Sequence, residues 1–234
     1  MNPAPLQVIL MGEVDYGEGL LLQERLLAAR QLGTIPDTLL LLEHPPVITI
    51  GRHGSGKNIL APRAVLEKKG IKVHEVSRGG DVTYHGPGQL VGYPIIDLKR
   101  YGRDVHTYYA KLEYVFIELL SKHQISARRD EHYPGVWVGG KKIAAIGIAV
   151  KKWVTMHGFA FNINPDLSYF ELINPCGIAD RGVTSLGKCL QEMVDALEIR
   201  EQVIQCFAHV FGLNPVIAGR EECEGCPGQT SLPG

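Results

Sequence analysis

The sequence predicts an α/β domain of the α+β kind: a mixed sheet flanked by helices. Three observations carry that expectation. Short apolar runs with strand character come in groups. Helical patterns arrive singly between those groups, and the regular strand–helix alternation of a doubly wound fold is missing. The chain also has 234 residues, 45% hydrophobic and 21% charged, enough for one generous core without a disulfide or metal staple.

Taken in order, Leu6–Glu13 reads as a strand and Glu18–Gln31 as a helix with leucines at helical spacing. Thr38–Glu43 and Val47–Ile50 read as strands separated by the rigid Pro45-Pro46. Pro62–Lys69 is a short helix stopped by Gly70, and Lys72–Ser77 a strand. The run RGGDVTYHGPGQLVGYP, Arg78 to Pro94, begins as a loop and passes into a strand around Leu90–Leu98. A long helix follows from Val105 to Lys122. Val136–Val138, Gly139-Gly140 and Lys142–Val150 read as a hairpin, and Lys152–Asn162 as a further strand. Leu186–Gly212 is helical in pattern. With no repeat, low-complexity block or long linker, residues 1–212 are expected to form a single domain. Residues 213–234, ending EECEGCPGQTSLPG, are expected to be a flexible tail.

The formal net charge of −1 gives no global attraction to a polyanion, and no nucleic-acid partner is expected. Local clusters such as Lys99-Arg100 with Arg103, Lys141-Lys142 and Lys151-Lys152 are either solvated faces or docking points. The N-terminus lacks the basic region of a signal peptide, and no stretch is long and apolar enough to span a bilayer. Five scattered cysteines do not resemble an oxidised framework. Together these features predict a cytoplasmic protein with no membrane partner.

Gly51–Asn58, GRHGSGKN, nearly spells a phosphate-binding loop. That loop needs Ser or Thr after its lysine to ligate magnesium, whereas Asn58 follows Lys57 and Pro62 interrupts the helix that should come next. A glycine-rich turn after a strand is the better reading, with Arg52 and His53 facing a neighbouring site.

Among the cysteines, Cys206 fits an apolar helical face beside Val203, Phe207 and Val210, and Cys189 is undecided. Cys223 and Cys226 form CxxC without a second ligand pair, so no metal site is expected. Cys176 differs, because Pro175 and Gly177 put it in a tight non-helical turn from which a thiol projects. The turn alone leaves a reactive and a structural role both open. A free thiol with pKa ~8.5 is only a few per cent thiolate at neutral pH. Lys142 heads KIAAIGIAV, a stretch apolar at both parities, as in a strand buried on both faces. Its ammonium either snorkels to solvent or faces a thiolate. At ~4 Å and an effective dielectric of ~20 such a pair is worth roughly 4 kcal/mol, against about 1.4 kcal/mol per pKa unit.

Five ordered blocks decide how these residues are read: EHPPVITIGR, RGGDVTYHGPGQLVGYP, GKKIAAIGI, HGFAFN and NPCGI. Together they resemble the lipoyl(octanoyl) transferases, the octanoyl-[acyl-carrier-protein]:protein N-octanoyltransferase family, over about residues 10–212. The resemblance implies the biotin/lipoate protein ligase-like fold and an acyltransferase that works through a cysteine/lysine dyad. Cys176 is then the acyl-thioester nucleophile and Lys142 its activating partner. Substrate contacts fall on Arg78, Gly79, Gly80, Asp81, Val82, Thr83, Tyr84 and His85. They fall also on Ala145, Ile146 and Gly147, and on Gly158, Phe159 and Ala160.

The implied donor is octanoyl-acyl carrier protein, with the acyl group on phosphopantetheine. The implied acceptors are lipoyl domains of 2-oxoacid dehydrogenase E2 subunits and glycine cleavage H protein. Because the acyl group arrives activated, neither ATP nor a metal cofactor is implied. Gly79, Gly80, Gly86 and Gly88 would let a slender chain approach the backbone, and Ile143, Ala145 and Gly147 suit a narrow hydrocarbon tunnel. Competing readings are an ATP-dependent ligase of the same fold, an amidotransferase using the same thiol, and a phosphate-loop binding module.

Overall fold

The computed structural model describes residues 3–174 and 181–219. The chain opens with strand β1 (Ala4–Glu13) and helix α1 (Tyr16–Leu32). The Asp15 carboxylate caps α1 by accepting the Gly17 N–H, and Gly33 ends it at φ 77°, the left-handed geometry that glycine enters without a β-carbon penalty. Strands β2 (Asp37–Glu43) and β3 (Val47–Ile50) follow, then α2 (Arg63–Lys68), β4 (Lys72–Glu75), β5 (Val82–His85) and β6 (Gln89–Ile95). Helix α3 (Val105–Lys122) starts where Asp104 accepts the His106 and Thr107 N–H groups. Strands β7 (Arg128–Arg129), β8 (Val136–Val138), β9 (Lys141–Lys151) and β10 (Val154–Asn162) complete the middle of the chain. Helices α4 (Leu186–Leu190) and α5 (Ala196–Phe211) precede the last strand, β11 (Leu213–Ala218).

Eight strands form one mixed sheet in the order β11-β1-β2-β6-β10-β9-β8-β7. The β11–β1 and β1–β2 pairs are parallel, and every later pair in that sheet is antiparallel. A smaller sheet has the order β4-β3-β5. The side chains of β2 from Asp37 to Leu42 are all buried, because the large sheet is covered on both faces.

One face packs against α3 and α5, with Phe116 stacked on Phe161 at 5.0 Å and Phe207 on Phe211 at 4.4 Å. The other face meets α1 through Leu26 and Leu27, which lie against Leu40, Leu42 and Tyr93. A separate apolar cluster, including Ile48, Tyr84 and Phe170, lies beneath the small sheet. Among the described residues no helix is long and apolar enough to cross a membrane.

The mixed sheet and its flanking helices agree with the sequence expectation, and two local expectations change. Val82–His85 is a strand inside the glycine-rich run, antiparallel to β3 with Val47 opposite His85. The domain also continues past residue 212: Leu213–Ala218 pairs with Ala4–Ile9 of β1, so the expected tail boundary fell too early. Pro215 is acceptable there because β11 is an edge strand.

Candidate active site

A cavity of about 200 Å³ opens between the β6–β10–β9 face of the large sheet and the segment Arg78–His85. The backbone brings these walls close. The Gly79 N–H donates to the Ile148 carbonyl at 2.9 Å. A β-carbon on Gly147 would stand 2.9 Å from the Gly79 carbonyl oxygen and 3.1 Å from Arg78 Cδ. A side chain at 147 would therefore displace the opposite wall. Gly80 turns the chain at φ 86°.

Most residues singled out in the sequence meet around this space. Lys142, Arg78, Gly79, Gly80, Asp81, Val82, Thr83, His85, Ala145, Ile146, Gly147, Gly158, Phe159 and Ala160 all line it. Tyr84 does not. Its ring stacks on Tyr169 at 5.1 Å and meets Phe170 edge-on at 5.4 Å, inside the cluster under the small sheet. Burial raises its phenol pKa. Tyr84 thus packs in that cluster and is not among the residues that line the cavity. Cys176 lies outside the described residues.

Arg78 is nearly buried, and its guanidinium is held by the Thr49 carbonyl at 2.7 Å, the Thr49 hydroxyl at 2.8 Å and the Gly79 carbonyl at 3.0 Å. Asp81 clasps the loop that imitates a phosphate site: its carboxylate accepts the Ser55 N–H at 3.3 Å and the Asn58 amide. Gly56–Asn58 is a short 3-10 turn, after which Ile59 bridges to Ile173. No phosphate-loop helix follows.

Lys142 sits at the other end of the cavity wall. Its Nζ is 4.9 Å from the centroid of Trp137, and the Arg181 guanidinium is 5.5 Å from the same ring. Glu113, buried on α3, accepts Arg129 Nε and the Gly135 N–H and so anchors the β7–β8 hairpin that carries Trp137. The Lys142 N–H donates to the Gly182 carbonyl at 3.0 Å, and its carbonyl accepts the Thr184 N–H at 2.9 Å. Lys142 thus pairs through its backbone with the residues that follow segment 175–180. The residue counted as the fifth before that segment's start, Phe170, also lines the cavity, as does Val183 on the far side.

Sequence reading named only His85 of a buried polar cluster. Tyr16, His85, Tyr93, Gln89, Asn162 and His157 line the cavity, with His44 directly behind. The His44 Nδ1–H donates to the Val14 carbonyl at 2.6 Å, leaving Nε2 to accept the Tyr93 hydroxyl at 2.6 Å. Desolvation lowers His44 to about 4. His157 is lowered to about 4 by burial and the nearby Arg78 charge. His85 is lowered to about 3 by burial, His44 and Arg78. Burial raises Tyr16 to about 12. All four are therefore neutral near pH 7. His157 also adopts φ 55°, and the buried Gln23 side chain of α1 receives its backbone N–H at 2.8 Å. No local sequence pattern announces this cluster; its members come from separate elements.

The mixed sheet and its flanking helices recur in protein ligases of solved structure. A lipoate protein ligase from Thermoplasma acidophilum superimposes with a TM-score of 0.74 at 18% identity, covering 94% of this chain and 89% of that one. Biotin protein ligase from Aquifex aeolicus in complex with biotin and ATP gives 0.54 at 17%, covering 88% and 70%. These likenesses establish the fold.

Residues 15–208 match the model of the lipoyl protein ligase A/B catalytic domain, and the chain belongs to that family. Octanoyltransferase of Caldicellulosiruptor bescii is 57% identical over 220 residues, 93% of this chain and 96% of that protein. Octanoyltransferase of Desulforamulus reducens is 51% identical over 213 residues, 91% and 93% respectively.

Proposed function

We propose that this protein transfers an octanoyl group from octanoyl-acyl carrier protein to the lysine of lipoyl domains, through a thioester on Cys176. The Cys176 thiolate attacks the donor thioester carbonyl, and the carrier's sulfur leaves as a thiol with a proton from the Lys142 ammonium, which leaves Lys142 as a neutral amine. The neutral ε-amine of a lipoyl-domain lysine then attacks the enzyme thioester. An amide forms, the Cys176 sulfur leaves as thiolate, and Lys142 or solvent takes the amine proton. Backbone N–H groups of the glycine-rich wall are suited to the tetrahedral oxyanion. Acceptors are the lipoyl domains of 2-oxoacid dehydrogenase E2 subunits and glycine cleavage H protein, and the compartment is the cytoplasm. No ATP or metal enters, because the donor thioester is already activated.

One observation carries this reading. Both flanks of the segment bearing Cys176 reach the cavity wall, and the later flank is hydrogen-bonded on both sides of Lys142. Lys142 and Arg181 converge on Trp137 there; Asp130 pairs with Arg181, and the Lys142 ammonium is the charge that favours an anion such as a thiolate. The octanoyltransferase relatives support the acyl group, and the apolar cavity suits a medium-length chain. It exceeds the about 150 Å³ of an apolar cavity that accepts benzene.

The test is intact mass after mixing with octanoyl-acyl carrier protein. One added octanoyl group, mapped to Cys176 and discharged by a lipoyl domain, is the expected result. Labelling that appears only with free octanoate and ATP would instead assign an adenylating ligase.

A further inference from the structure

Two hydrogen-bonding atoms in the cavity wall are left over by the acyl-transfer chemistry. His85 and Tyr16 are 6% and 2% exposed, and both line the cavity. Their rings stack with centroids 6.0 Å apart and planes 15° from parallel.

The orientation of His85 follows from a chain of bonds that starts at a backbone carbonyl. The Thr184 carbonyl can only accept, so Asn162 turns its amide Nδ2 toward it, at 2.9 Å. That leaves Asn162 Oδ1 to accept Gln89 Nε2 at 2.9 Å. Gln89 Oε1 must in turn accept the His85 Nδ1–H at 2.8 Å. Nδ1 therefore carries the ring hydrogen, and because burial beside His44 and Arg78 keeps the imidazole neutral, Nε2 keeps a bare lone pair. Among the described residues neither that lone pair nor the Tyr16 hydroxyl has a hydrogen-bond partner. Unlike His157 Nδ1 and Gln23 Nε2, neither is sealed inside protein. Both open onto the cavity.

Their distance from the reacting end is set by strand register. Ala144 pairs with Phe161, and Gln89 pairs with Asn162. The residue beside Lys142 on β9 is thus level with Gln89, two strands away, a span of ~10 Å. An extended chain covers ~3.5 Å per three bonds, so the seven carbon–carbon bonds of an octanoyl group cover about 8 Å. A chain whose carbonyl lies by Lys142 ends near His85 and Tyr16.

We propose that Tyr16 and His85 form a polar subsite at the far wall of the acyl cavity, accepting a medium-length acyl chain that carries a hydroxyl or similar small hydrogen-bonding group at its distal end. The hydroxyl donates to His85 Nε2 and accepts from the Tyr16 O–H. An unsubstituted chain leaves the two atoms to water. The inference rests on the reading of this cavity as the acyl site and adds a second class of acyl group to it.

Calorimetric titration of the full chain with octanoate and with 8-hydroxyoctanoate tests it. A hydroxyl buried without a partner loses about tenfold or more in affinity. The wild type is expected to bind the two acids within about threefold of each other, because the subsite satisfies the hydroxyl. Tyr16→Phe and His85→Asn are each expected to restore a preference of about tenfold for octanoate. Tyr16→Phe keeps the ring, and His85→Asn keeps a donor toward Gln89, so a folded variant remains available, checked by thermal unfolding. A wild-type preference of tenfold or more for octanoate overturns the subsite and leaves the acyl cavity standing. So does a ratio unchanged in both variants, the result for a site that holds ordered water only. Failure of both acids to bind overturns the acyl reading of the cavity and the subsite with it.

Discussion

Replacing Lys142 by methionine keeps most of the side-chain volume and removes one positive charge from the cavity wall. The ammonium sits 4.9 Å from the Trp137 centroid and is partly buried. At ~6 Å and an effective dielectric of ~20, a unit charge pair is worth roughly 3 kcal/mol, about two pKa units. Solvent screening at a half-buried lysine reduces this to about one unit. A cation favours the thiolate, so its removal raises the thiol pKa. The thiolate fraction at pH 7 then drops about tenfold. The assay is the pH profile of iodoacetamide alkylation, read by peptide mass at Cys176 so that Cys189 does not contribute. The midpoint for Lys142→Met is expected to move up by about one unit, with little change in rate above pH 10. A midpoint that stays in place would refute the pairing of these two side chains.

Three further outcomes follow from the same geometry. Gly147→Ala places a methyl 2.9 Å from the Gly79 carbonyl; overpacking costs about 1–3 kcal/mol, and octanoate binding should fall along with the thermal midpoint. Glu113→Ala strips the partner from the Gly135 N–H and from Arg129; a loss of about 1–3 kcal/mol in urea unfolding should accompany slower acylation, whereas unaltered stability would deny the hairpin-anchoring role. His44 and His157, lowered to about 4 by burial, bind protons more readily unfolded than folded. Their stability contribution is complete above the unfolded pKa of ~6.5 and fades as pH falls toward 4, by about 2.5 kcal/mol per ring at pH 4.5; His157→Gln should therefore show a shallower loss between pH 6.5 and 4.5, and an identical slope would contradict neutral burial.

Much of the scaffold could be read because it rests on local physics. Val47–Ile50 and Val105–Lys122 are found at the expected residues: one is a β-branched run beside prolines, the other a long amphipathic stretch behind an aspartate cap. Val82–His85 escaped notice because a four-residue strand bounded by glycines carries too short an alternation to register. Leu213–Ala218 was concealed by Pro215, which is tolerated only because one side of that strand is unpaired. In the site, the glycines announced a close wall, since Gly147 and Gly80 have backbone reasons to lack a side chain. Tyr84 lies in the cluster under the small sheet while Thr83 and His85 line the cavity, because successive side chains of a strand point to opposite faces. Tyr16, His44, Tyr93 and Gln23 gave no signal at all. They come from α1, the turn after β2, and β6, and only the tertiary arrangement makes them neighbours.

The partnership between Ala4–Ile9 and Leu213–Ala218 bears on how this molecule is made. A ribosome delivers the first of these strands some two hundred residues before the other. During that interval PLQVILM can be lined by β2 on one side only, with its second row of amides uncovered and able to recruit a neighbouring nascent chain. Completion of the sheet thus waits for Leu213–Ala218 to be made, and removing that strand should favour clumping over a soluble product.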